Sequence, residues 1–366
     1  MKLAEMDVAG RLPRLRARLE AAGCDALVVT NLTNVRYLTG FTGSAAVLLV
    51  GPDDLTFVTD GRYQFQSAEQ LAAAGVDARI EIGGMAAQRE AIAKAATGFG
   101  RIGLEATNVT WSRQRTFAAD WFSGAELVPT ENLVEELRRV KDAGELDRMA
   151  AAAKAADDAL AAVRPMLATE PTEAEFAVAL DFEIRKLGAE GNSFETIVAS
   201  GPNGAKPHAR PSDRRIRAGE LVVLDFGAIV DGYCSDMTRT VCVGEPASDT
   251  LRRMVEVVAE SQRAGVAAVR PGVSAAEVDK VCRDVIAEAG WADAFLHSTG
   301  HGVGLDIHEA PGVSTISTDT IEEGYVVTVE PGVYLAEHGG VRIEDTLVVT
   351  ADGSRCLTNA TKELAV

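Results

Sequence analysis

Residues 221–243 read LVVLDFGAIVDGYCSDMTRTVCV, an apolar run that carries Asp225 and Asp236 where a buried strand should hold no carboxylate. Asp231-Gly232 is a favoured two-residue hairpin turn, and the flanking residues are apolar, β-branched or threonine, so the stretch is predicted to form two antiparallel strands. If Val230 pairs with Tyr233, then Asp225 lies opposite Thr238. Asp236 follows two residues along the same face, with its α-carbon roughly 7 Å from that of Asp225. Two like charges that close and half buried are tolerated mainly when one is protonated or when a cation lies between them. The cation is favoured; an exposed hairpin with a solvated or capping Asp236 is the alternative on this stretch alone.

A length of 366 residues exceeds one ordinary domain and suggests two. The formal net charge of -18 argues against general nucleic-acid binding, and bound metal would offset part of it. The basic, amphipathic start lacks a signal-peptide core, and no run reaches the ~18 apolar residues of a membrane helix, so a cytoplasmic protein without membrane partners is expected. Cys24, Cys234, Cys242, Cys282 and Cys356 are scattered and include no C-x-x-C pair. They are read as small buried hydrophobes, with neither a disulfide framework nor a thiolate zinc site.

Residues 1–132 alternate helix and strand patterns, which predicts an α/β domain. Helices are expected near 8–22, 64–74, 85–96 and 111–122, and strands near 26–30, 45–50, 55–59, 78–82, 101–105 and 126–128. This part contains no histidine. Residues 133–366 form the second predicted domain, with the charged run Arg138-Arg139-Val140-Lys141-Asp142 near the boundary. Helices are expected within 131–168 and over 173–187, 250–269 and 275–289, alternating with strand pairs in an α+β arrangement that allows pseudo-symmetry.

All five histidines, His208, His297, His301, His308 and His338, lie in this second part, three of them inside HSTGHGVGLDIHEAPG. Gly300, Gly302 and Gly304 make a continuous helix there unfavourable and let backbone approach something bound. One histidine alone would more often be structural; three in twelve residues point to a site. Glu330 ends the strand-like run Tyr325–Val329. Glu344 lies in VRIEDTL, where period-two alternation puts Arg342, Glu344 and Thr346 on one face and Val341, Ile343 and Leu347 on the other. Either glutamate alone reads as a surface residue, but with two aspartates and a histidine they suit hard or borderline divalent ions such as manganese, cobalt or zinc. Such a set has enough ligands for two ions with water between them as the nucleophile.

The segments VVLDFGAIVDGYCSDMTRT, HSTGHGVGLDIHEAPG, VVTVEPGVY and GGVRIEDT closely resemble, in order and spacing, those of the pita-bread metallopeptidases of the Xaa-Pro group, the prolidases and aminopeptidases P. NVRYLTGFTGS and TDGRY resemble that group's creatinase-like N-terminal domain, so the likeness covers essentially the whole chain. It implies Asp225, Asp236, His301, Glu330 and Glu344 as ligands of a two-metal centre, with Asp236 and Glu344 bridging. It also implies substrate-facing or proton-handling roles for His208, His297 and His308, and places Arg342 and Tyr334 at positions that line the family's site. His338 matches no assigned position and is expected in a loop. The implied reaction is hydrolysis of the peptide bond preceding proline, with an imidazole at the oxyanion and Glu330 passing a proton to the leaving nitrogen. A homodimer is implied as well.

Methionine aminopeptidases share the metal set but usually lack so large an N-terminal domain. Creatinase shares the fold without metal, and a catalytically inactive binding module on the same fold is a further alternative; both fit poorly with five filled ligand positions. Between dipeptidase and aminopeptidase P, compactness favours the dipeptidase.

Overall fold

The Asp231-Gly232 turn closes the predicted hairpin, with φ of 44° and 74° at its two residues as the tight right-twisted turn requires. The computed structural model describes residues 3–366. Val230 pairs with Tyr233 and Asp225 with Thr238, so the register is the expected one. The ladder is interrupted between these pairs, at Gly227 and the Ser235-Asp236 segment. A β-carbon on Gly227 would lie 1.9 Å from the Ser235 carbonyl oxygen. Gly227→Ala therefore has to part the two chains, and we expect it to destabilise the protein by about 2–3 kcal/mol, as overpacking against rigid backbone does. A urea midpoint unchanged from wild type would contradict this.

The chain divides into two compact units, Met6–Arg138 and Arg139–Val366, the latter joined by the residues that end at Glu5. In the first unit six strands form one mixed sheet: β1 (Ala26–Val29), β2 (Val47–Val50), β3 (Leu55–Thr59), β4 (Arg79–Ile82), β5 (Arg101–Glu105) and β6 (Glu126–Thr130), in the order β4-β3-β2-β1-β5-β6. The helices are α1 (Arg11–Leu19), α2 (Leu32–Thr39), α3 (Gln64–Ala73), α4 (Met85–Ala95) and α5 (Trp111–Thr116), with a short α6 at Glu135–Arg138. Two features differ from the sequence expectation. Helix α2 was not anticipated; Asn31 starts it by accepting the Thr33 amide, and Gly40 stops it at φ 73°. The helix expected over 111–122 is α-helical only to Thr116 and then widens into a π-helical turn, Phe117–Trp121, whose aromatics pack on each other.

The second unit has two helix pairs, as expected. The pair α7 (Ala143–Val163) and α8 (Glu173–Lys186) buries one core, and α9 (Asp249–Ala268) with α10 (Ala275–Glu288) buries another. The strands are β7 (Gly191–Asn192), β8 (Ile197–Ser200), β9 (Leu221–Phe226), β10 (Ala228–Val230), β11 (Tyr233–Cys234), β12 (Met237–Cys242), β13 (Gly300–Gly302), β14 (Glu309–Val313), β15 (Val326–Val329), β16 (Gly332–Leu335), β17 (Gly339–Arg342), β18 (Asp345–Thr350) and β19 (Gly353–Cys356). They pair as β12-β9-β8, β11-β10-β7, β14-β13-β15-β18-β19 and β16-β17. The two strand sets meet where the Glu344 amide donates to the Thr238 carbonyl at 3.1 Å and Thr240 bonds both the amide and the carbonyl of Arg342. The α/β first unit and α+β second unit are the predicted fold class. All five cysteines are free, four of them buried.

Candidate metal centre

Strand alternation delivers the carboxylates to one place. On β9, Val222, Leu224 and Phe226 join the core against α7 and α8, which turns Asp225 to the other face. On β12, Met237 and Val241 join that same core and Thr238 and Thr240 face away from it. Val327 and Val329 of β15 pack into the α9–α10 core, leaving Thr328 and then Glu330 on the opposite side. Val341, Ile343 and Leu347 pack into the same core, while Arg342, Glu344 and Thr346 face away, as the sequence pattern predicts.

These faces enclose a cavity of about 460 Å³. Asp225, Asp236, His301, Glu330 and Glu344 line it, together with His208, His297, His308 and Arg342. Apolar surface comes from Phe194, Ile197, Pro207, Ala209 and Ile307. Tyr334 is placed differently. It stands behind the wall, its hydroxyl 2.8 Å from His297 Nε2 and 2.6 Å from Arg342 Nη1. His338 lies in the turn between β16 and β17.

One donor atom from each of Asp236, His301 and Glu344 lies within 4.8 Å of the others. His301 Nδ1 lies 2.9 Å from the Gly302 carbonyl, which fixes the proton there and aims Nε2 at Asp236 Oδ2 (3.4 Å) and Glu330 Oε1 (3.5 Å). Thr238 donates to Glu344 Oε2 at 2.7 Å, and Thr328 accepts the His301 amide. The reading from sequence missed both threonines, because threonine in a strand looks like an ordinary β-former. Arg342 Nη2 reaches Asp225 Oδ2 at 2.5 Å.

The electrostatics are those of a site built for a cation. Burial, followed by repulsion from Asp225, pushes Asp236 up to about 6. Burial pushes Glu330 up to about 7, and burial with repulsion from Asp236, Glu330 and Asp225 holds Glu344 well above the carboxylate range. Burial opposes charge on His301 too, yet the Asp236 and Glu330 carboxylates outweigh it and raise the imidazole to about 9. Without metal, protons therefore take the cation's place. Asp225 Oδ1 and Glu344 Oε1 are buried with no hydrogen-bond partner. An unpartnered buried carboxylate oxygen is costly, and a divalent ion is the natural partner for two of them in an oxygen-rich set with one imidazole. His297 is different: burial and the nearby Arg342 push it down to about 4 and keep it neutral. Its Nδ1 donates to the Ser298 carbonyl at 2.8 Å, so its Nε2 accepts from the Tyr334 hydroxyl.

A pH dependence follows. A metal ion held by Asp236, Glu330 and His301 would have to displace protons from groups with pKa values of about 6, 7 and 9. Metal affinity therefore falls as pH falls through this range, and with it the stabilisation that binding confers. The rise in melting temperature on adding divalent metal should be clearly larger at pH 8 than at pH 5.5. An equal rise at both values would contradict the assignment of these groups.

Comparison with known proteins agrees with this geometry. Residues 147–351 match metallopeptidase family M24, and residues 11–140 match the Creatinase/Prolidase N-terminal domain. YqhT of Bacillus subtilis, an uncharacterized peptidase, is 44% identical over 97% of this chain and 99% of its own. The structure of an Xaa-Pro dipeptidase from Bacillus anthracis superposes with a TM-score of 0.93 at 40% identity, covering 98% of this chain and 100% of that one. An X-Pro aminopeptidase from Thermotoga maritima follows at 0.87 and 32% identity, covering 95% and 100%. Similarity that runs through both units and spans the buried carboxylate–histidine cluster has one reading: the chain belongs to metallopeptidase family M24 and carries a Creatinase/Prolidase N-terminal domain.

Proposed function

We propose that this protein hydrolyses the peptide bond preceding proline in short peptides, with Xaa-Pro dipeptides as preferred substrates. The observation that carries the reading is the cluster of Asp236, His301 and Glu344, with Glu330 and Asp225, on the wall of one cavity. The name of the Bacillus anthracis structure supports the same substrate class. Asp225, Asp236, His301, Glu330 and Glu344 would hold two divalent ions, manganese by preference and cobalt or zinc as substitutes, with Asp236 and Glu344 shared. Such ions would supply Lewis acidity, which makes water a nucleophile near neutral pH and polarises the scissile carbonyl.

The chain's own residues supply the rest. Glu330 takes the proton of the attacking water and returns it to the proline nitrogen as the bond breaks. His208 and His308 hydrogen-bond the substrate and the developing oxyanion. Arg342 and Tyr334 brace Asp225 and His297. A proline amide offers no N–H, so selection rests on shape, and Phe194, Ile197 and Ile307 provide apolar wall for the pyrrolidine ring. The enzyme is proposed to act in the cytoplasm as a homodimer. The sequence resemblance supports the dimer, and no described helix is long and apolar enough to cross a membrane.

The similarity to an X-Pro aminopeptidase favours a second reading, cleavage of longer peptides. Assaying Ala-Pro beside Ala-Pro-Ala decides between them. Dipeptidase activity predicts a larger kcat/KM on Ala-Pro. The reverse order establishes the aminopeptidase, and turnover of neither removes the proposal.

A further inference from the structure

The segment that carries Ile307 and His308 runs between β13 and β14 and contains Gly304. Four bonds outside the cavity fix it. The Cys234 amide donates to the Gly304 carbonyl at 2.8 Å and the Gly304 amide to the Asp306 carbonyl at 3.1 Å. The Asp306 amide donates to Glu309 Oε1 at 3.1 Å, and the other carboxylate oxygen, Glu309 Oε2, receives Lys141 Nζ at 3.1 Å. The Glu309 side chain folds back over the segment so closely that a β-carbon on Gly304 would lie 2.5 Å from Oε2.

Lys141 is remote in sequence and belongs to no strand of the site. It precedes Asp142, the N-cap of α7, and its amide is held by the Gly324 carbonyl at 2.9 Å. Its side chain is 1% exposed and that of Glu309 is 7% exposed, so the ion pair is shielded from water. Glu309 does not line the cavity, but its neighbour His308 does, with its ring 4.4 Å from that of His301.

We infer that the buried Lys141–Glu309 ion pair is a positioning device that fixes His308 at the reaction centre from behind. Lys141 is a positioning residue that touches neither substrate nor metal. This rests on the proposed Xaa-Pro hydrolysis, in which His308 acts on the substrate. A displacement of His308 by about 1 Å should cost on the order of 10²-fold in kcat.

The test is a double-mutant cycle on the full-length, metal-loaded protein with Ala-Pro as substrate. Lys141→Met should lower kcat by about 10²-fold with metal content unchanged, and Lys141→Arg should recover most of it. In a His308→Ala background, Lys141→Met should cost less than about threefold more, because its effect passes through a group already removed. Independent, multiplicative losses overturn the inference, as does loss of metal in parallel with activity. If Lys141→Met is not recovered folded, Glu309→Gln, which keeps an acceptor for the Asp306 amide, enters the same cycle. Hydrogen exchange of residues 303–309, which needs no substrate, should be at least tenfold faster in the variant and restored by Lys141→Arg. Wild-type protein that leaves Ala-Pro intact sinks the Xaa-Pro reading alone; exchange unchanged from wild type then sinks the positioning role.

Discussion

Asp236→Ala is expected to lower turnover by at least about a thousandfold, on the scale seen when one member of a catalytic unit is removed. Asp236 sits at the centre of the cluster. Its carboxylate faces His301 at 3.4 Å, its donor atom lies within 4.8 Å of those of His301 and Glu344, and its backbone carbonyl accepts from Thr346 at 2.7 Å. The last contact belongs to the main chain, so alanine keeps it and the strand stays in place. The variant should fold, with a melting temperature in the absence of metal close to or above wild type, because a buried carboxylate with a raised pKa has been removed. The sign follows from linkage. A raised folded-state pKa favours the fold below the unfolded value of about 3.9 and loses that contribution as pH rises through about 6, so at pH 8 the carboxylate is a net cost. Metal content measured on the same preparation should fall by at least one ion per chain. A variant with unchanged metal and normal turnover would falsify the assignment of Asp236.

Arg342→Met should have the largest effect on stability. The guanidinium is buried, bonds Asp225 at 2.5 Å and the Tyr334 hydroxyl at 2.6 Å, and reaches Thr238 at 3.1 Å through Nε. Burial opposes its charge, but Tyr334, Asp225 and Glu330 outweigh this and hold it fully protonated. Removing one partner of a buried ion pair costs about 3–5 kcal/mol, because the other charge is left without compensation. Here the remaining charge, Asp225, is already among three other carboxylates. The loss should therefore be greatest in metal-free protein, on the order of 10 °C in melting temperature, and smaller once metal is bound and compensates Asp225. An equal loss in both forms would show that Arg342 supports the fold independently of the metal site.

The strands around the site were legible because each face carries its own chemistry. In VRIEDTL, aliphatic and polar residues alternate strictly over the four positions 341–344, and the structure puts Val341 and Ile343 in a core and Arg342 and Glu344 on the cavity. The Asp-Gly turn fixed the hairpin register, and that register placed Asp225 opposite Thr238. Helix α2 was hidden because LTNVRYLT is short, rich in β-branched residues and without charge pattern; its caps, Asn31 and Gly40, were the available signal. The π-turn at Phe117–Trp121 follows from packing among aromatics, which no local propensity encodes. The run Arg138–Asp142 reads in sequence as a charged linker, whereas Lys141 is buried on Glu309 and Asp142 caps a helix. A partner 168 positions away leaves no trace in local pattern.

The central claim is that the buried carboxylate–histidine cluster performs hydrolysis before proline only when it holds divalent metal. Proline release from Ala-Pro, followed as manganese is titrated into chelator-stripped protein at pH 8, tests it directly. The account predicts no turnover without metal and a rise that saturates at two ions per chain. Full turnover in the stripped protein, or none at saturating manganese, cobalt and zinc alike, would contradict it.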